Sequence, residues 1–78
     1  MTCLVIVAGS RHEADWLAND LNIPPADQVN LSACDPRSIA QVQGLWGGQY
    51  RITSSAYGQR WAGEIVVYLR QHGFVEVK

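Results

Sequence analysis

The sequence predicts a small three-layer α/β fold with a mostly parallel four-stranded sheet, in the order β-α-β-α-β-α-β. The run 4–8 is entirely apolar, as expected of a strand that is buried on both faces. Gly9 and Ser10 then lead directly into a helical pattern, in which Ser10 and Glu13 match a capping box. Short apolar strands and helical stretches alternate along the rest of the chain, which is typical of repeated β-α units.

The first half of the chain predicts a strand over residues 3–8, a helix over 11–22 and a second strand over 28–33. The apolar stripe of this helix consists of Ala14, Leu17, Ala18 and Leu21. Pro24 and Pro25 prevent the helix from continuing. Apolar residues alternate with polar ones in the second strand, which favours a position at the edge of the sheet.

The second half begins with Asp35 and Pro36, which predict the start of a short helix that Gly44 ends. A turn-rich segment leads to a third strand over 50–53, and a fourth strand covers 74–77. The third helix has the clearest stripe, followed by Gly73 as a left-handed cap. The stripe residues are Gly58, Trp61, Ala62, Ile65, Val66 and Leu69.

We therefore expect a single Rossmann-like domain over residues 1–78. Right-handed crossovers make the sheet mostly parallel, and the most apolar strand, the first, should be central. The strand order 2-1-3-4 is favoured. The order 3-2-1-4 contains the same elements and stays open as an alternative.

Composition narrows the classes of partner. A chain as short as these 78 residues buries only about 60% of the surface that the unfolded chain exposes, so covering more of it by forming a homo-oligomer would add stability. The net charge of −1 provides no positive potential that would attract the phosphate backbone, so nucleic acid is not expected as a partner. The apolar run near the start is too short to span a bilayer and has no basic region before it, so we expect a cytoplasmic protein.

The two cysteines, Cys3 and Cys34, are expected at opposite ends of the sheet, as buried thiols in a reducing compartment. Their separation excludes a disulfide, and their spacing matches no zinc motif. No catalytic elbow or triad is visible, so neither enzyme activity nor a cofactor is expected.

A small anionic ligand is one candidate for binding at the carboxyl ends of the strands. The residues expected there are Gly9, Ser10, Arg11, Ser54 and Ser55. A helix N-terminus together with a cation and hydroxyl groups can hold a phosphate or carboxylate. However, no complete glycine-rich phosphate loop is present. The alternative is a purely structural role, in which Ser10 only caps the helix.

The tryptophans indicate a second kind of site. At 100° per residue, Trp16 falls about 200° from the buried Ala14, on the outward side of the first helix. The other residues predicted on this side are His12, Asn19 and Asp20. Trp46 lies in a loop, as a lid or a contact. Because tryptophan is a favoured anchor in interfaces, Trp16 and Trp46 are the predicted interface aromatics.

The helix start Arg11-His12-Glu13-Ala14-Asp15-Trp16, together with Ser32-Ala33, Gln43-Gly44-Leu45 and Ser55-Ala56-Tyr57, resembles small Rossmann-like proteins of actinobacteriophages. This resemblance implies a phage origin, a location in the host cytoplasm and a Rossmann-like fold, without an established activity. The stretch from Ala8 to Arg11 also looks like the first loop of SLOG-type nucleotide-binding domains, whose later glycine-rich phosphate loop is missing here.

Two hypotheses result. The first is a non-enzymatic phage accessory protein that associates with itself, or with a host or phage protein, through outward helix faces. The second is a degenerate, SLOG-like binder of a nucleotide or another small anion at the strand ends.

Overall fold

The computed structural model describes residues 3–77 and contains one parallel sheet with the strand order β2-β1-β3-β4. The strands are β1 (Leu4–Ala8), β2 (Gln28–Ser32), β3 (Gly48–Ile52) and β4 (Phe74–Glu76). The helices are α1 (Arg11–Asp20), α2 (Ser38–Val42) and α3 (Ala62–Gln71), with 3-10 turns at Pro25–Asp27 and Ser54–Ala56. The Rossmann-like fold class and the favoured strand order are confirmed.

The apolar strand β1 separates two hydrophobic clusters, because its side chains alternate between the two faces of the sheet. Val5 and Val7 belong to the larger cluster, which α2 and α3 cover. Ile6 and Ala8 belong to the smaller one, which α1 covers. The chain thus forms three layers, with β1 buried in the middle.

The helix α1 ends at Asp20, two residues before the predicted end. Asn22 adopts the left-handed conformation with φ 57°, and the N–H of Ile23 donates to the carbonyl of Ala18. This arrangement terminates the helix before the prolines are reached. It also turns Ile23 onto the smaller cluster, whereas Leu21, predicted to be buried, is 40% exposed.

The second and third helices begin later than predicted. Residues 36–37 form a turn in which Asp35 accepts the N–H of Arg37 at 2.9 Å, so α2 starts only at Ser38. Gly58 has φ 86° and lies in a turn before α3, which starts at Ala62. The predicted glycine cap at Gly73 is confirmed by its φ of 82°.

The two sides of the sheet are covered unequally. The helix α1 packs on β1 and β2, and every member of the cluster on its side comes from β1, α1 or Ile23. Among residues 3–77, no helix covers the α1 side of β3 and β4. We call this surface the open half-face; its side chains are those of Gln49, Arg51, Val75 and Val77.

None of the helices in the described part of the chain is long and apolar enough to cross a membrane.

Gly48 allows β3 to pack closely against the backbone of Cys3 and the ring of Phe74. Its φ is 141°, and a Cβ atom there would lie 2.9 Å from the carbonyl oxygen of Cys3 and 3.0 Å from the Phe74 ring. We expect Gly48→Ala to lower the free energy of unfolding by about 1–3 kcal/mol, because backbone strain and overpacking add. Urea denaturation followed by circular dichroism measures the change.

Gly63 is the matched control. It lies within α3, and a Cβ atom there would have no neighbour within 4 Å. Gly63→Ala should therefore raise the free energy of unfolding by about 0.5–1 kcal/mol. Equal effects of the two alanines would contradict the packing at Gly48.

Candidate functional site

The carboxyl ends of β1 and β3 lie next to each other, at the point where the chain changes the direction in which it adds strands. Ligands of open parallel sheets bind at such a point. Several polar groups converge here, which we call the switch-point cluster. Its members are Gly9, Glu13, Cys34, Thr53, Ser55 and Gln59.

Ser55 is the centre of this cluster. Its Oγ lies 2.7 and 2.8 Å from the two carboxylate oxygens of Glu13 and accepts the N–H of Gly9 at 3.2 Å. Because the Ser55 hydroxyl donates its proton to Glu13, Thr53 Oγ1, at 2.8 Å, is the donor in their shared hydrogen bond. The chain's own carboxylate is thus held next to the place expected for an anion.

Cys34 joins the cluster from the segment after β2. Its Sγ lies 2.9 Å from Gln59 Oε1 and 3.3 Å from the carbonyl oxygen of Gly9. The expectation of a buried thiol was wrong for Cys34, which is exposed, while Cys3 is partly buried. Burial raises the pKa of the Cys3 thiol, with a further contribution from the charge of Asp27.

Only part of the predicted ligand set comes together. Gly9 and Ser55 are in contact, whereas Ser54 is exposed and makes no side-chain hydrogen bond within residues 3–77. Ser10 Oγ accepts the N–H of Glu13 at 3.2 Å, which is half of the predicted capping box. The reciprocal half is absent because the Glu13 side chain binds Ser55 instead.

Arg11 lies away from the switch-point cluster. Its Nε donates to Asp15 Oδ1 at 3.2 Å, on the side of α1 that faces the edge strand β2. A groove beside the end of β2 also contains Arg37, whose guanidinium pairs with Asp35 at 3.0 Å. Hydrogen bonds from the side chain and backbone of Arg37 lower the pKa of the Asp35 carboxyl. Both arginines of this groove are therefore already paired with carboxylates.

The predicted interface residues on α1 all face solvent. Trp16 is 63% exposed, and the other three are exposed as well: His12, Asn19 and Asp20. Trp46, 72% exposed, packs at 4.3 Å on the ring of His72, which stacks on Tyr68 of α3. Trp46 therefore belongs to the α3 side of the molecule, and the two tryptophans do not form one continuous surface.

The side of α1 that carries Trp16 borders the open half-face. Glu13 contacts Ser55, just beyond the end of β3, so this side of the helix points toward β3. Residues three and four positions later share that side, which places Trp16 and Leu17 there. An exposed indole thus stands beside an uncovered sheet surface on which Val75 is 65% exposed.

Sequence reasoning missed Arg51 and Val75 as parts of a surface. The alternation of Tyr50, Arg51 and Ile52 could have indicated that Arg51 faces away from the larger cluster. No pattern within α1, however, could show that the helix covers only two of the four strands.

Within residues 3–77, no group of three or more His, Cys, Asp or Glu side chains is arranged to hold a metal ion. The comparisons found no match to this chain among protein-family models, curated proteins or solved structures. The resemblance to actinobacteriophage proteins stays a prediction.

The contact between Ser55 and Glu13 can be measured by a double-mutant cycle. We expect Ser55→Ala and Glu13→Ala each to lower the free energy of unfolding by about 0.5–1.5 kcal/mol, and the double variant to lose less than the sum. Ser54→Ala removes a neighbouring hydroxyl that makes no hydrogen bond within residues 3–77. It should change the free energy of unfolding by less than about 0.5 kcal/mol. Additive losses would contradict the contact.

Proposed function

We propose that this protein is a non-enzymatic interaction module that binds a helix of a partner protein on the open half-face, with Trp16 as the anchor. The observation that carries the proposal is the unequal coverage of the sheet, with β3 and β4 bare on the side where Trp16 stands. In a parallel sheet of this kind, both faces are ordinarily covered by helices.

The dimensions of the open half-face fit one helix. Two neighbouring strands are about 10 Å wide, and the five residues of β3 extend over about 16 Å. A helix has a diameter of about 10 Å, and ten residues of it extend over about 15 Å. A single short helix would therefore cover the bare strands much as α1 covers the other two.

The exposed apolar groups supply the driving force. A tryptophan side chain buries roughly 150–250 Å² in an interface, and at about 25 cal/mol per Å² its coverage contributes several kcal/mol before the costs of association. Val75 and Leu17 add apolar area beside it. Trp46 lies on the α3 side and is not part of this surface.

Two substitutions test the proposal. Trp16→Ala removes the anchor, and Val75→Asp places a charge on the open half-face. Each should weaken binding at least tenfold, whether the partner is a second copy or another protein. Analytical ultracentrifugation measures self-association, and affinity capture with quantification of each captured protein measures other partners.

The matched control is Val67→Asp, since Val67 is exposed on α3, away from this surface. It should leave binding unchanged. A protein that binds nothing in either measurement, or whose binding is the same in both test variants as in the parent, would contradict the proposal.

The second candidate function is binding of a small ligand at the switch-point cluster. The convergence of hydroxyl, amide and thiol groups at the change of strand direction favours it. Because Glu13 presents a carboxylate here, a ligand with hydroxyl or ammonium donors fits better than an anion.

A thermal-shift panel separates these chemistries. Under this second function, a polyol or amine should raise the melting temperature of the parent, Glu13→Ala should abolish the rise, and Arg11→Ala should leave it intact. A rise produced by nucleotides and lost in Arg11→Ala would instead support the anionic ligand predicted from sequence. A parent protein that no compound stabilises would count against any ligand at this cluster.

A further inference from the structure

We propose that the partner is a second copy of this chain, and that each copy uses its own α1 to cover the open half-face of the other. The inference rests on the proposed function and identifies the helix that the open half-face binds. In the resulting two-fold dimer, two sheets enclose a middle layer formed by the two α1 helices side by side.

The shape of one copy permits this exchange. The helix α1 stands over one half of the sheet, and the open half-face beside it is about as wide as a helix. A two-fold axis parallel to the strands places the partner's α1 over the bare strands of the first copy. The same rotation places the first copy's α1 over the bare strands of the partner. A two-fold axis across the strands would bring the two helices onto the same position.

The register of the sheet determines which residues meet. Asp15 contacts Asn30 at 2.7 Å, so this turn of α1 lies at the height of Asn30. Asn30 is in register with Ile6, which is in register with Arg51. Because the two-fold axis runs along the strands, it preserves height, and Trp16 of one copy therefore approaches Arg51 of the other.

Arg51 is suited to that contact. It is half-buried on the open half-face, and within residues 3–77 its side chain makes neither an ion pair nor a hydrogen bond. A guanidinium group over an indole ring is the preferred form of cation–π interaction, which is stronger where water is excluded. The exposed indole and the unpaired cation complement each other between two copies, and the symmetry forms the contact twice.

The area required is available on this side of the molecule. A stable interface buries about 800 Å² per partner, which is roughly a sixth of the accessible surface of 4690 Å². One side of a molecule with extents of 29 × 25 × 22 Å offers that share. The outer face of α1 and the open half-face together form such a side.

The decisive experiment mixes two variants that each disrupt the dimer. Trp16→Lys places a cation against Arg51, and Arg51→Glu places a carboxylate against the indole. Each variant alone should raise the dissociation constant of the dimer at least tenfold in analytical ultracentrifugation, because both symmetric contacts are lost. Far-ultraviolet circular dichroism verifies that both variants are folded, and Arg51→Gln serves as a milder second variant.

An equimolar mixture of the two variants should form a heterodimer. One of its contacts is the native pair of Trp16 and Arg51, and the other joins the introduced lysine to the introduced glutamate. We expect the dissociation constant of the mixture to return to within about fivefold of the parent value, whereas each variant alone at the same total concentration should show no such recovery.

The outcomes separate this inference from the proposed function. A parent protein that stays monomeric at all concentrations, or a mixture without recovery, overturns the exchange of α1 helices. If a different protein is then captured in a manner that depends on Trp16 and Val75, the proposed function still stands. A parent dimer that neither variant weakens also overturns the exchange, and the proposed function fails with it if no captured protein depends on Trp16 and Val75.

Discussion

The burial of β1 on both faces is the constraint on which the rest of this structure depends. Residues Val5 to Ala8 are fully inaccessible to solvent, so each face of the sheet needs its own layer of helices. Residues 3–77 contain three α-helices for four strands, and two of these helices lie on the same side of the sheet. The remaining helix, α1, is ten residues long and covers only β1 and β2. The open half-face results from this shortage of helices, and the exposed Trp16 lies beside it.

At the switch-point cluster, side chains of the protein itself occupy the position where ligands of open parallel sheets commonly bind. The amino end of α1 has the free N–H groups and the dipole that attract an anion. Here the neighbouring Glu13 side chain bonds to Ser55, and Ser55 accepts the Gly9 N–H. Arg11, the nearest cation in the sequence, pairs with Asp15 on the other side of the helix. The positive groups that would recruit a phosphate are thus already compensated by carboxylates of the chain itself.

Local sequence signals predicted the end of a helix correctly where the backbone conformation of a single residue determines it. Gly73 ends α3 as expected, since its conformation depends only on the absence of a side chain. The end of α1 was misplaced because Asn22, a weaker left-handed residue than glycine, terminates the helix ahead of two more conspicuous prolines. The start of α2 was misplaced because Asp35 caps a turn that precedes the helix. Cys34 was assigned to the interior because it was predicted at the end of the second strand, whereas β2 ends at Ser32 and Cys34 lies in the turn that follows.

The sequence by itself determined the fold class, the parallel strand order that it favoured and the outward position of Trp16. These follow from hydrophobic periodicity and from the handedness of crossovers, which act over neighbouring elements. Only the tertiary structure decided that β3 and β4 stay bare on one side and that Arg51 lies on this surface at the height of Trp16. It also decided that Glu13 bonds to Ser55 at the switch point. These arrangements depend on where a helix comes to rest across a sheet, and that position is set by packing between residues far apart in the chain.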